Sequence, residues 1–321
     1  MPWLERRHMW VWLAAGLAAA GIVGSFVSQS LGAGAPLLRV TTQLAPGARK
    51  GGRPLVLTLG GPVYCRQVAP IVRYLGASLA CPDYGPDGER SAASRARRVE
   101  DWGDPKYLNA VARLPIELEE NGVHISQLIL VGASYSGYAA AELAATHPEL
   151  HPRALIIVDS FLDLSERFRA LSTDDLTRSE MIHVLGGALA QRPQEYRERS
   201  PSDHLAGLAT DMRRGMRFVD VWSVGASETR EFNGAMCSPA SNGIWLRRLA
   251  GILRHPVTAY VTRLRHAYAL WYRWRQLLAL ASLAPKSGAF PGKRLTFRQQ
   301  ERLPAASTCA VTSAAPSHWD P

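Results

Sequence analysis

Short apolar runs of four to nine residues, separated by longer stretches with apolar positions at helical spacing, make up most of the chain from about residue 36 to residue 283. Runs of this length suit strands buried on both faces, and the stretches between them suit crossover helices around a largely parallel sheet. The expected strands are Leu37–Leu44, Pro54–Gly60, Ser78–Cys81, Gln127–Val131, Ala154–Val158, Arg217–Ser223 and Pro256–Leu264. Tyr64–Leu75, Pro105–Glu120 and Tyr138–Thr146 are the expected crossover helices, with Pro115 expected to bend or break the second. The alternation stops once, over residues 161–215, where charged helical segments carry no strand pattern. That stretch reads as a small helical cap over the sheet edge, and His266–Leu283 reads as a closing helix. From 285 to 321 the pattern dissolves into Pro, Ala, Ser and Arg, which predicts a disordered tail.

The amino-terminal end differs from the rest. Residues 1–8 contain Arg6 and Arg7, and Met9–Val27 is uncharged over 19 residues. At about 1.5 Å per helical residue this length matches a hydrocarbon core of about 30 Å, and it exceeds the usual core of a signal peptide. A transmembrane signal anchor over residues 9–30 is expected. A cleaved signal peptide is the alternative, because Ala33-Gly34-Ala35 resembles a cleavage site, although Pro36 follows it. With the arginines before the apolar run, residues 1–8 stay in the cytoplasm. The domain over 36–283 then lies on the extracytoplasmic face of the membrane, or is secreted or periplasmic if the segment is removed.

Composition adds exclusions. The formal charge is +10, and only Lys50, Lys106, Lys286 and Lys293 among the 37 basic residues are lysines. The arginines are scattered and accompany no zinc-finger, helix-turn-helix or RNA-stacking pattern, so no nucleic-acid partner is expected. An anionic membrane surface suits the charge better. The four cysteines, Cys65, Cys81, Cys237 and Cys309, show no metal-ligand spacing, so no metal is expected. A location outside the cytoplasm would allow one or two disulfides, with the pairing open.

The strand ending at Val131 runs into Gly132-Ala133-Ser134-Tyr135-Ser136-Gly137 and then into a good helix. Strand, tight turn and helix make a nucleophile elbow, in which residues two before and two after the serine must be small. Gly132 satisfies the first position, and Ser136 stands where glycine is usual. Taking Ser136 as the nucleophile would put Tyr138 in the crowded position, so Ser134 is the candidate.

With this motif the chain resembles the α/β-hydrolase superfamily over about residues 54–283. Leu57-Thr58-Leu59-Gly60-Gly61-Pro62 is similar to the family's oxyanion strand and loop, with Gly60 where histidine is common. Cys81-Pro82-Asp83-Tyr84-Gly85-Pro86-Asp87-Gly88 is similar to the turn that often follows the next strand. The resemblance implies a mostly parallel central sheet flanked by helices with a small helical cap, and the order serine, acid, histidine along the chain.

A serine hydroxyl needs a base. His266 follows the last expected strand at the same sheet edge as Ser134, whereas His255 lies at that strand's other end. Glu228, in Gly225-Ala226-Ser227-Glu228, resembles the family's acid position, and Asp159 after the preceding strand is the alternative acid. The oxyanion requires backbone N–H donors. Tyr135 follows the nucleophile and supplies one. Pro62 has no N–H, so the second comes from Val63 or Gly61.

The expected activity is a serine esterase or lipase-like hydrolase, cleaving a small-molecule or lipid carboxylic ester or thioester through an acyl-enzyme, with no cofactor. Two alternatives stand beside it: a peptidase of the same fold, and a membrane-tethered binding protein that keeps the fold without turnover.

Overall fold

The computed structural model describes residues 27–30, 38–84, 101–171, 173–223, 242–262, 264, 267–285 and 288–298. Among them, nine strands form one sheet: β1 (Val27–Ser30), β2 (Arg39–Gln43), β3 (Arg53–Leu57), β4 (Ser78–Asp83), β5 (Ile125–Ala133), β6 (Ala154–Val158), β7 (Arg217–Ser223), β8 (Val257–Thr262) and β9 (Lys293–Phe297). Their spatial order is β1-β2-β4-β3-β5-β6-β7-β8-β9. The strands from β4 to β8 are mutually parallel, while β1, β2 and β9 pair antiparallel at the two sides.

Parallel strands are apolar throughout because helices cover both faces. Leu55, Leu57, Leu130, Leu155 and Ile157 enter one core with α2 (Pro105–Glu120), α3 (Tyr135–Thr146), α7 (Leu205–Arg213) and α8 (Asn242–Leu253). Their neighbours Val56, Ile129, Val131, Ile156, Val158, Val219 and Val221 enter the other, with α1 (Pro62–Leu75), α9 (Tyr268–Tyr272) and α10 (Trp274–Leu280). The two-residue period of each strand therefore divides its side chains between two cores.

The cap region contains α4 (Leu164–Ala170), α5 (Leu176–Val184) and α6 (Pro193–Glu198). Its last helix, α7, belongs instead to the flanking layer: Leu205, Leu208 and Ala209 are buried in the same core as Ala144 and Ala145. A Cβ on Gly207 would stand 1.8 Å from the Ala145 carbonyl oxygen, so only glycine permits that close approach.

Four expectations need correction. Pro115 sits inside an unbroken α2, whose Tyr107, Leu108, Val111, Ala112 and Leu114, all before the proline, are buried, and whose Leu118 beyond it packs half-buried against the same core. The closing helix is two helices, parted at Arg273. The tail from 285 is not structureless throughout, because Lys293–Phe297 pair with β8 and bury Phe297. Val27–Ser30, the end of the expected 9–30 membrane segment, pair with β2 instead. Residues 1–26 lie outside the described residues, and no described helix is long and apolar enough to cross a membrane.

Candidate active site

β5 ends at Ala133 and α3 begins at Tyr135, so Ser134 alone makes the turn, at φ 55° and ψ −127°. A positive φ is unfavourable for a residue with a Cβ and persists only where the surroundings enforce it. Here the Ser134 N–H donates to the Val158 carbonyl at 2.8 Å, and its carbonyl accepts the Tyr138 N–H at 3.1 Å to start the helix. The turn also demands small neighbours. A Cβ on Gly132 would lie 2.4 Å from the Ser136 carbonyl carbon, and one on Gly137 would lie 1.9 Å from the Ser160 hydroxyl. Ser136 is fully buried, with its hydroxyl 3.0 Å from that of Thr58. Ser134 is partly exposed. Of the two hydroxyl residues, Ser134 is therefore the one open to a small molecule from outside.

The N–H groups of a helix's first turn have no intrahelical acceptor, and the helix dipole makes that end attractive to negative charge. Tyr135 is the first residue of α3, and Val63 is the second of α1, which starts just beyond β3. The Gly61 N–H is committed to the Pro82 carbonyl at 3.0 Å, which removes it as a donor for an oxyanion. Gly60 and Gly61 take φ of 91° and 76°, and Cβ atoms there would strike the Tyr64 ring at 2.7 Å and the Asp83 carboxylate at 2.6 Å. A disulfide joins Cys65, in the same turn of α1 as Val63, to Cys81 in β4. It pins the helix start to the sheet, and it supplies a pairing that spacing alone left open.

Asp159 follows β6 directly, also with positive φ, 52°. Its own N–H donates to the Val221 carbonyl at 2.8 Å. Its carboxylate accepts the Ser223 N–H at the end of β7 and, at 2.6 Å, the Ala267 N–H beyond β8. One carboxylate thus ties together the ends of three parallel strands, next to the strand that presents Ser134. His266 and Glu228 lie outside the described residues.

A second carboxyl near the elbow, this one fully buried, was not apparent from sequence. Asp101 is fully buried beneath Tyr135: the tyrosine hydroxyl donates to Asp101 Oδ2 and accepts the Asp101 N–H at 3.0 Å, while the Gly103 N–H donates to Oδ1 at 2.7 Å. Burial pushes its pKa up to about 7. Trp102 packs edge-on to Tyr135 at 5.5 Å, and Phe161 stacks on Tyr138 at 4.8 Å. The local signal was Asp104, an N-cap accepting the Lys106 N–H at 2.9 Å before Pro105. It announced the helix and said nothing of the residue packed against the elbow.

No protein-family model matches the chain, and no characterised protein matches it by sequence. It is similar in structure to a Mycobacterium tuberculosis puromycin-hydrolyzing peptidase, at 17% identity and TM-score 0.55, over 83% of this chain and 41% of that one. A Pyrococcus horikoshii acylaminoacyl peptidase matches at 12% identity and TM-score 0.55, over 86% and 44%. An S-formylglutathione hydrolase from Agrobacterium tumefaciens matches at 15% identity and TM-score 0.53, over 80% and 93%. The chain thus spans about two fifths of the length of the first puromycin hydrolases it matches. At these identities the likeness is one of fold.

Proposed function

We propose that this chain, which has the α/β-hydrolase fold, is a serine hydrolase that cleaves a carboxylic ester or thioester through an acyl-enzyme on Ser134. The observation that carries the reading is the elbow: a strained, partly exposed serine at the start of α3, whose Tyr135 ring lies 6.2 Å from that of Tyr64 in the first turn of α1, beside a carboxylate that bridges the neighbouring strand ends.

In this mechanism Ser134 Oγ attacks the acyl carbonyl while His266 takes the hydroxyl proton. The Tyr135 and Val63 N–H groups receive the oxyanion, each contributing about 3 kcal/mol to the barrier lowering if it acts like other such donors. His266 returns the proton to the leaving alcohol or thiol, and a water activated by the same histidine then releases the acid. Asp159 is the preferred orienting acid over Glu228, because its carboxylate already holds the Ala267 N–H, one residue after His266. We place the domain outside the cytoplasm: the Cys65–Cys81 disulfide supports an oxidising compartment, and the apolar residues 9–26 supply the targeting or anchoring segment.

A fluorophosphonate probe tests the reading. Wild type labels and Ser134→Ala does not; failure of folded wild type to label overturns it. Asp159→Asn abolishes ester hydrolysis while Glu228→Gln retains it, and the reverse result reassigns the acid.

A further inference from the structure

We infer that the cap holds a second binding site, for a single-chain amphipathic anion: a carboxylate or phosphate head on a short apolar tail, taken up as a monomer. The site is a cleft of about 700 Å³ between α4, α5 and α6, within the size range of small-molecule sites. Phe168, Leu189 and Pro193 give it an apolar lining, and Arg169, Arg178 and Arg197 bring three guanidinium groups to it. Among the described residues no acidic side chain lines it, and none of its lining residues belongs to the elbow, the start of α1 or the Asp159 bridge. The inference therefore stands whether or not Ser134 is a nucleophile.

A solvated arginine face would leave these side chains free to extend into water. Instead Arg178 lies 4.2 Å over the Phe168 ring and donates from Nη1 to the Leu171 carbonyl at 2.9 Å, which fixes its planar fork against the apolar floor. Arg169 is partly neutralised by Glu166 at 2.6 Å, while Arg197 makes a long 3.4 Å contact to the Pro193 carbonyl within its own helix. Among the described residues Arg178 and Arg197 make no salt bridge, although Arg197 feels Asp203 at longer range, so two guanidinium groups stand at an apolar cleft in forks suited to bidentate contact with carboxylate or phosphate.

The walls are preformed. The Phe168 and Tyr196 rings meet edge-on at 5.1 Å to join α4 to α6. Trp102 Nε1 donates to Glu180 at 3.1 Å, which ties α5 to the main body. Little ordering is left to be paid on binding, which favours a specific small ligand over a diffuse ion atmosphere. The apolar floor distinguishes the ligand from a free inorganic anion, and the limited volume distinguishes it from a bilayer surface.

Calorimetric titration of the full chain with octyl phosphate, below its micelle concentration, tests this. Saturable binding of one molecule per chain is expected, with octanol and inorganic phosphate each about tenfold weaker or more. Arg169→Gln with Arg197→Gln removes two exposed cations that do not brace the fold and weakens binding about tenfold at an unchanged Tm; Arg178→Lys keeps the charge, loses the fork and also weakens it. Ser134→Ala binds as wild type does. Equal binding by the double variant, equal binding of inorganic phosphate, absence of binding at millimolar octyl phosphate, or binding only to phosphatidylglycerol vesicles would each overturn the inference. Loss of binding in Ser134→Ala alone would instead move the ligand to the elbow.

Discussion

Removing the Cys65–Cys81 bridge by the double substitution Cys65→Ala and Cys81→Ala perturbs stability and the proposed oxyanion site together. The crosslinked residues are 16 apart in sequence, for which the loop-entropy relation gives about 3 kcal/mol of stabilisation through the unfolded chain. Both side chains are buried, at 8% and 0% exposure, so losing the sulfurs adds on the order of 1 kcal/mol of lost packing. For a domain of this size about 1 kcal/mol shifts Tm by roughly 2–4 °C, so the double variant should melt roughly 8–16 °C below oxidised wild type. Scanning calorimetry with and without dithiothreitol separates the two contributions. Dithiothreitol should lower wild type by most of that difference and leave the double variant unmoved. Because Cys65 lies in the turn that carries the Val63 N–H, ester turnover at 25 °C should also fall in the double variant, with kcat affected more than KM. A wild-type Tm within 2 °C of its oxidised value after complete reduction would refute the reasoning, since the bridge would then constrain nothing that unfolding releases.

Other outcomes follow from the same contacts. In the proposed mechanism Val63→Pro removes one oxyanion donor at a position where a helix tolerates proline, so kcat should drop about 100-fold with little change in Tm; unchanged kcat would remove Val63 from the site. Tyr135→Phe takes a hydroxyl from buried Asp101 while leaving the backbone N–H of residue 135 in place. It should destabilise by about 1–3 kcal/mol in urea melts and leave kcat within a few-fold, and a large kcat loss at unchanged stability would contradict that division of roles. Burial raises the pKa of Asp101 and Asp220 to about 7 and of Asp211 to about 6, and raises that of Glu142 as well. The native state therefore holds more protons than the unfolded state between about pH 4 and pH 7, and stability falls as pH rises through that window. His147, whose pKa burial lowers, opposes this only below its ordinary value of 6.5. The urea midpoint should be higher at pH 5 than at pH 8, and a rise across that interval would show that these carboxyls are not buried as described.

The sheet and the elbow were legible in the chain because their signals are local. A buried parallel strand such as Ala154–Val158 is a run of five apolar residues, all of them buried, and a nucleophile turn needs small residues within two positions of the serine. These requirements act between near neighbours, and residue type at fixed spacing records them. Gly132 meets them, and Gly137 just beyond, through contacts that a Cβ would violate, while Ser136 fits with its hydroxyl 3.0 Å from that of Thr58. The edge strands were harder to see. Lys293–Phe297 buries only Phe297, and a strand paired on one side carries too few apolar positions to stand out from a tail rich in alanine and proline.

Other features arose only when distant segments met. Asp159 finds its partners 64 and 108 residues away, Asp101 reaches Tyr135 across 34, and Cys65 reaches Cys81 because α1 packs back on β4. Nothing near Gly61 in sequence shows that its N–H is spent on Pro82; that contact comes from the β3–β4 pairing. The sequence by itself determined which residue occupies the strained turn, because steric demands at the elbow operate over a few bonds. Which carboxylate holds the backbone just beyond β8, and that the Gly61 N–H is spent on the Pro82 carbonyl, was decided by tertiary structure, because strand register and helix packing set those distances.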